Sequence, residues 1–199
     1  MVAMLDHSQE RLQVLDEVAR SWSRENLDSA LGWIEGLQPR EQNRAVRGLL
    51  DNVAEFDPVQ AAALYSKLAS SADGSGGPEG YAGMAGHIAE RWSQFDPANA
   101  ADWALSLPEG DTQRRAVERV ADRWLRADSL EASQWIGELE PGRVRDVAAE
   151  RLVDQISESD PAAALQWALT AQDEGHQTQM LRHVYDRWRK SDPAAAQQF

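Results

Sequence analysis

Apolar residues recur along this chain at the spacing of amphipathic α-helices, in alternating longer and shorter segments. The longer segment at residues 111–127 carries its apolar side chains at Ala116, Val117, Val120 and Trp124, and the equivalents near the start of the chain are Val14, Leu15, Val18 and Trp22. The shorter segment at residues 129–139 carries them at Ala132, Trp135, Ile136 and Leu139. Because intervals of three and four residues place side chains on one side of a helix, the pattern predicts pairs of half-buried helices, a long helix A followed by a short helix B.

A polar break separates helix A from helix B, and it recurs six times. Taken as position zero of each pair, the break residue falls at Asn26, Asp57, Asp96, Asp128, Asp160 and Asp192. Asp or Asn there predicts an N-cap whose side chain accepts hydrogen bonds from the first turn of helix B. Proline follows four of the six, where it suits the first helical position and ends the preceding helix. The six residues are therefore predicted helix caps.

The breaks are 31, 39, 32, 32 and 32 residues apart. One period with a single longer interval indicates a repeat array. We predict an all-α fold, a right-handed α-solenoid of about six helix-turn-helix repeats that forms a single domain over residues 1–199. The predicted repeats are residues 8–38, 40–69, 79–108, 111–140, 142–172 and 174–199. The Gly- and Ser-rich residues 70–80 are a predicted flexible insertion.

All eight tryptophans occupy two repeat positions, four residues before the break or seven residues after it. They are Trp22, Trp92, Trp124 and Trp188 before it, and Trp33, Trp103, Trp135 and Trp167 after it. Aliphatic residues stand at the same positions in other repeats, at Val53, Leu64 and Ile156. A sugar-stacking ladder would not accept those replacements, so we interpret the tryptophans as structural core residues. Alanine stands four residues after every break, which predicts close approach of neighbouring helices there: Ala30, Ala61, Ala100, Ala132, Ala164 and Ala196.

Charge and composition narrow the function. The chain has 33 acidic and 20 basic residues and a net charge of −13. Nucleic acid is therefore not an expected partner, because phosphate binding needs clustered Lys and Arg, whereas a basic protein or peptide is favoured. With no cysteine, disulfides, thiolate metal sites and cysteine nucleophiles are excluded. The chain contains no apolar run of about 18 residues, so the sequence predicts no membrane span in it. Its first ten residues lack the basic start and the apolar stretch of a signal peptide.

Charged residues on helix A form the candidate binding site. Acids stand six residues before the break at Asp51, Glu90, Asp122, Asp154 and Asp186, and bases stand nine residues before it at His87, Arg119, Arg151 and His183. These two positions share one helix face. If the A helices line one surface, the acids form a ladder along it, and we predict a groove for a basic or extended polypeptide. The alternative is a solvated face with weak surface ion pairs.

Arginine precedes the helix-A tryptophan in three repeats, at Arg91, Arg123 and Arg187. We expect these arginines to connect adjacent repeats through a capping Asp or a C-terminal carbonyl. Catalytic chemistry is not expected. His176 and His183 lie about 10 Å apart if helical, too far for one metal ion, and the Gly-rich stretch lacks the Lys-Ser/Thr of a phosphate loop. We predict no catalytic residue, no metal site and no cofactor.

Trp92, Asp96, Pro97, Ala100 and Trp103 spell W-x-x-x-D-P-x-x-A-x-x-W, with weaker copies along the chain. This pattern resembles the helical repeats of uncharacterised bacterial proteins, and more generally tetratricopeptide-like and HEAT-like α-solenoids. The resemblance implies an interaction scaffold and brings no catalytic residues. Many such bacterial proteins look exported, so the resemblance favours the cell envelope or periplasm over the cytoplasm.

The sequence thus predicts a non-catalytic protein–protein interaction scaffold that binds a polypeptide on its helix-A face. Two alternatives stay open: a carbohydrate- or cell-wall-associated accessory domain, and a structural spacer or self-associating array. The last helix B stops at Phe199, before its predicted final turn. We therefore expect either a fragment of a longer repeat protein or a terminal repeat in which Phe199 is the last core residue, with self-association through that repeat.

Overall fold

In five of the six helix pairs a longer helix precedes a shorter one, as the apolar pattern predicts, whereas Gly83–Trp92 and Pro97–Ser106 have ten residues each. The computed structural model describes the backbone of residues 2–71 and 82–197, and the side chains of residues 9–70 and 82–197. Within these residues the chain forms twelve α-helices and no strand, so the predicted all-α fold is confirmed. The chain divides into two compact units, unit 1 at Met1–Pro108 and unit 2 at Glu109–Phe199.

Each unit contains three pairs of helices. Unit 1 holds α1 (Val2–Glu25), α2 (Leu27–Glu35), α3 (Pro39–Phe56), α4 (Pro58–Ser71), α5 (Gly83–Trp92) and α6 (Pro97–Ser106). Unit 2 holds α7 (Asp111–Ala127), α8 (Ser129–Glu138), α9 (Arg143–Ile156), α10 (Pro161–Ala168), α11 (Glu174–Ser191) and α12 (Pro193–Ala196). In unit 1 the A helices pack in the order α1, α3, α5, and in unit 2 in the order α7, α9, α11, while each B helix packs on its own A helix.

The six break residues cap the B helices. Each side chain accepts a hydrogen bond from the backbone N–H three residues later, at 2.9–3.1 Å. Asp128 also accepts from Leu130 N at 3.1 Å. These bonds satisfy amide groups that have no partner inside the helix. Helix A begins after a glycine in two repeats, and Gly110 and Gly142 adopt φ of 143° and 156°, a conformation that residues with a side chain rarely adopt.

Alanine lies where helix A and helix B meet. All six alanines four residues after the break are at most 2% exposed. The predicted apolar stripe of α7 is buried throughout, at Ala116, Val117, Val120 and Trp124. The stripe predicted for α1 is partly wrong, because Val14 and Val18 are exposed. Among the described helices of unit 1, α1 packs against α2 and α3.

One helix boundary differs from the prediction beside the insertion. Helix α4 continues through Ser71, where the insertion was expected to begin at residue 70. The Ser66 and Ser70 hydroxyls donate to the carbonyls four residues back, at 3.0 and 2.7 Å, so both serines are accommodated within the helix. Residues 72–81, which include most of the predicted insertion, and Phe199 lie outside the described residues.

Helix A ends early in two repeats, and a buried serine follows it in both. Helices α5 and α9 end four residues before the break, whereas α3, α7 and α11 continue to the residue before it. A buried serine follows the early end in both cases, Ser93 and Ser157. The Ser93 hydroxyl donates to Ala89 O at 2.6 Å, and Ser157 donates to Val153 O in the same way. The same bond occurs within α4 at Ser66 and Ser70, so it accompanies the early ends and does not by itself end a helix.

Candidate functional site

The tryptophans pack against each other in pairs. Across the break, the ring centroids are 5.7 Å apart for Trp22 and Trp33, 6.2 Å for Trp92 and Trp103, and 5.3 Å for Trp124 and Trp135. Trp124 is buried and the other seven tryptophans are half-buried. Trp167 and Trp188 pack on the apolar cluster of unit 2 that includes Val153 and Val184. The rings therefore fill the corner between helix A and helix B.

In unit 1 the candidate acid Asp51 is held between two bases on neighbouring helices. Its Oδ1 lies 2.9 Å from His87 Nε2 on α5, and its Oδ2 pairs with Arg20 on α1. Arg20 Nε also donates to Asp16 Oδ2 at 3.0 Å. The predicted site residues Asp51 and His87 are thus brought together, in a row of charges that crosses all three A helices of the unit.

In unit 2 the acids of α9 face the bases of α11. Glu150 Oε2 lies 3.3 Å from His176 Nε2, and Asp154 Oδ1 lies 3.3 Å from His183 Nε2. The imidazole contacts become ion pairs when the histidine is protonated. A third contact follows one turn later, where Arg187 Nη1 donates to Glu158 Oε1 at 3.0 Å. The predicted site residues Asp154 and His183 are therefore also brought together.

The same two polar contacts occur between α3 and α5 and between α9 and α11. In each case the acid six residues before one break meets the histidine nine residues before the next break: Asp51 with His87, and Asp154 with His183. The glutamate two residues before one break likewise meets the arginine five residues before the next: Glu55 with Arg91 at 3.3 Å, and Glu158 with Arg187. These contacts set the register between adjacent A helices.

Arg91 and Arg187 connect adjacent repeats, as the sequence predicted, but through a different partner. We expected a capping Asp or a helix C-terminal carbonyl, and the partner is the glutamate two residues before the preceding break. Glu55 projects from the last turn of α3, and Glu158 projects from the turn that follows α9. A carboxylate holds a guanidinium more strongly than a backbone carbonyl does.

Three of the other predicted site residues have a partner on their own helix. Asp122 pairs with Arg126 on its own helix, and Asp186 lies 3.7 Å from Arg189 on its own helix. Arg151 contacts Asp154 and Glu150 at 3.2 Å and Glu118 at 3.8 Å. Glu90 is half-buried on α5 and Arg119 is exposed on α7, and neither lacks a partner. Asp51 and Asp154 of the predicted ladder are therefore engaged by a histidine of the next helix A. Asp122 and Asp186 are engaged by an arginine of their own helix.

Two polar positions that form hydrogen bonds between helices were not identified from the sequence. Gln42 and Gln177 stand fifteen residues before their breaks and donate to carbonyls at the end of the preceding helix B, Glu35 O and Leu169 O, both at 3.0 Å. The recurrence of glutamine at this position, Gln113 included, was the available signal. Asp146 is buried in α9 and accepts from Gln172 N and Asp173 N at 3.1 and 3.3 Å, which ties the start of α11 to α9.

A polar cleft of about 480 Å³ lies at the N-terminal ends of α7, α9 and α11. Arg114, Asp146, Glu150 and His176 line it. Arg114 contacts Asp111 at 3.4 Å, and Glu150, Asp146 and His176 have the partners already described. Arg114 and Glu150 therefore contact charged partners, whereas Asp146 is bound by backbone amides.

Unit 1 exposes large apolar side chains at the A–B corner. Phe56 and Phe95 are 71% and 75% exposed, and Val59 is exposed beside Phe56. Both phenylalanines stand one residue before the break, in the second and third repeats. The Arg24 guanidinium lies 5.4 Å from the centroid of the Phe56 ring, a cation–π contact. The signal in the sequence was a phenylalanine at a position where the other repeats carry small or polar residues.

Hydrogen bonds from Asn99, first from its side-chain amide and then from its backbone, lower the pKa of Asp96. Among the side chains that the structure describes, no three of His, Asp or Glu gather as a metal site requires. None of the helices in residues 2–71 and 82–197 is long and apolar enough to cross a membrane. No protein-family model, curated protein or solved structure matches this chain.

Proposed function

We propose that this chain is a non-catalytic interaction scaffold that binds a basic, extended polypeptide. The observation that carries the proposal is the exposure of Phe56 and Phe95 at one repeat position in unit 1. Exposed apolar side chains that cluster, with polar groups around them, mark interaction sites on folded proteins. Aromatic residues are also the side chains most enriched at the centres of protein interfaces.

The acidic character of unit 1 indicates that the partner is positively charged. Unit 1 has 16 acidic and 8 basic residues. Several of those bases already contact acids, among them Arg11 with Glu41 and Arg91 with Glu55. The negative potential that is left attracts a basic partner and raises its association rate, an effect that salt screens.

The helix-A surface is the second part of the proposed contact. Its carboxylates, such as Asp51 and Asp154, are partly exposed and are bound by side chains from neighbouring helices. Basic residues of a partner would compete for these carboxylates with His87, Arg151 and His183. Because exposed ion pairs contribute only about 0–1 kcal/mol each, such an exchange is energetically accessible.

The finer fold prediction belongs to this proposal. A right-handed α-solenoid of six helix pairs would place the A helices along one extended surface, as binding of an extended polypeptide requires. Small-angle X-ray scattering tests it. A globular chain of 199 residues has an expected radius of gyration of about 16 Å, and a solenoid should exceed that value clearly. A value at the globular expectation would contradict the extended array.

Binding of matched peptides tests the function. The probe is a fluorescent octapeptide of six lysines with leucine at its third and sixth positions, and its control replaces the lysines with glutamate. We expect the full chain to bind the lysine peptide, with an affinity that falls as salt rises, and to bind the glutamate peptide far more weakly. Equal affinity for the two peptides would contradict a basic partner. A concentration-dependent sedimentation shift without peptide binding would support the self-associating array instead.

A further inference from the structure

We infer that a groove between α1, α3 and α4 binds one apolar side chain of a basic polypeptide segment, and that Phe95 contacts a second apolar side chain of that segment. The inference rests on the proposed function and specifies the site and the pattern of the partner. It differs from the helix-A ladder, because the groove lies at the corner where helix A gives way to helix B.

The groove is large enough to hold an apolar side chain of a partner. Its volume is about 380 Å³, and Arg24, Asn52, Val53 and Phe56 line it. Sites for whole small molecules span about 300–1,000 Å³, so this groove lies near the lower end of that range. Val53, the Phe56 ring and the aliphatic stem of Arg24 make its walls largely apolar. An apolar side chain of a partner fits this lining.

The walls of the groove are held in place before any ligand arrives. Asn52 is 4% exposed. In the amide orientation that its neighbours require, its oxygen accepts from Arg24 Nε and Nη2, both at 3.0 Å, and its nitrogen donates to Ser23 Oγ at 3.1 Å. The Arg24 guanidinium is therefore fixed against the face of Phe56. Side chains that are already ordered lose little conformational entropy on binding.

Phe95 extends the apolar surface by one repeat. It stands on the turn after α5 at the position that Phe56 occupies at the end of α3, and α3 packs against α5. Packed helices lie about 8–10 Å apart. A polyproline II segment advances about 3.1 Å per residue with three residues per turn, so side chains three residues apart lie on the same side of it, about 9 Å from each other. A segment in this conformation with apolar side chains three residues apart therefore matches the separation of two packed helices such as α3 and α5.

Acidic residues stand next to both phenylalanines in the chain. Glu55 and Asp57 flank Phe56 in the chain, Asp96 follows Phe95, and Glu25 ends α1 beside Arg24. Arg24 itself is engaged by Asn52 and by the Phe56 ring. Charge complementarity thus requires Lys or Arg between and around the two apolar side chains of the partner.

The test compares the lysine–leucine octapeptide with a control in which both leucines are serine, so that charge and length are equal. Fluorescence anisotropy with the full chain measures both affinities. We expect the leucine peptide to bind at least roughly tenfold more tightly, the effect of burying apolar side chains. Phe56→Ser should remove most of this preference, and Phe95→Ser should remove part of it. Leu130→Ser is the matched control, since Leu130 is 68% exposed in unit 2, and it should leave both affinities unchanged.

Equal affinities for the leucine and serine peptides would overturn the inference. So would a leucine preference that Phe56→Ser leaves intact, because the apolar side chains would then bind elsewhere. Neither result contradicts the proposed function as long as the lysine–leucine peptide is preferred over its glutamate counterpart. Circular dichroism of each variant checks that the helices are retained, which is expected because the substituted rings are exposed.

Discussion

The rings of Trp124 and Trp135 stack with their centroids 5.3 Å apart and their planes 29° from parallel, across the break that Asp128 caps. The same two positions meet in two repeats of unit 1. The cap reverses the chain direction, and the ring contact fixes the angle at which helix B returns along helix A. Tryptophan also connects repeats, because Trp103 lies with its ring centroid 6.0 Å from that of Tyr65 and donates to Ser66 Oγ at 3.3 Å.

Replacement of Trp124 and Trp135 by alanine should lower the free energy of unfolding, and the effects of the two replacements should be coupled. We expect Trp124→Ala to lower the free energy of unfolding by about 3–5 kcal/mol, and Trp135→Ala to cost less because Trp135 is only half-buried. The double variant should reveal a coupling energy of about 0.5–1.5 kcal/mol between the rings. Urea unfolding followed by far-UV circular dichroism measures these values. Leu130→Ala, at an exposed site in the same repeat, is the control, and strictly additive costs would argue against the ring contact.

Gly48 marks a close approach of two helix backbones. A Cβ atom at Gly48 on α3 would lie 2.6 Å from Asp16 O on α1, so Gly48→Ala should destabilise the chain by about 1–3 kcal/mol through overpacking. Gly32 on α2 has open space around it, and Gly32→Ala should stabilise the chain by about 0.5–1 kcal/mol. Thermal unfolding of the two variants measures the opposite signs. Stabilisation by Gly48→Ala would show that α1 and α3 are farther apart.

Glu158, in the turn after α9, and Arg187 on α11 should keep their contact when their charges are exchanged. Glu158→Arg alone and Arg187→Glu alone each place like charges side by side, and the double variant restores an opposite pair. We expect the double variant to lose less free energy of unfolding than the two single variants lose together, by about 0.2–1 kcal/mol. The coupling should shrink as salt rises. Urea unfolding at 50 and 500 mM NaCl provides the measurement, with Glu138→Arg on exposed α8 as a charge-matched control. A coupling of zero at low salt would remove this pair from the register contacts.

Acid should weaken the cap at Asp96. Because hydrogen bonds lower its pKa in the folded chain, the ionised form favours folding. That contribution is complete above the unfolded pKa of about 3.9 and is lost as pH falls through the lower folded value. Asp96→Asn keeps a capping oxygen and should flatten the pH dependence of unfolding below about pH 4. Urea unfolding from pH 2 to 6 compares wild type, Asp96→Asn and the control Asp102→Asn. An unchanged slope in Asp96→Asn would refute this role.

The sequence by itself determined the helix pairs, their caps and the alanine contact positions. An N-cap bond joins residues three apart, so Asp96 and Asn99 report it without knowledge of any other helix. Helical geometry likewise converts the spacing of Ala132 and Ile136 into a shared buried face, and both are fully buried. These features depend on local geometry, which the order of residues contains.

Only the tertiary structure decided which side chains meet between helices. His87 reaches Asp51 across 36 residues of chain, and Phe56 is left exposed although Val53, one turn earlier, is buried. Such outcomes depend on the rotation and sliding of one helix against its neighbour, and many side chains set those movements together. The acids of helix A therefore read as a free ladder in the sequence, whereas packing brought His87 and His183 onto Asp51 and Asp154 of the preceding repeats.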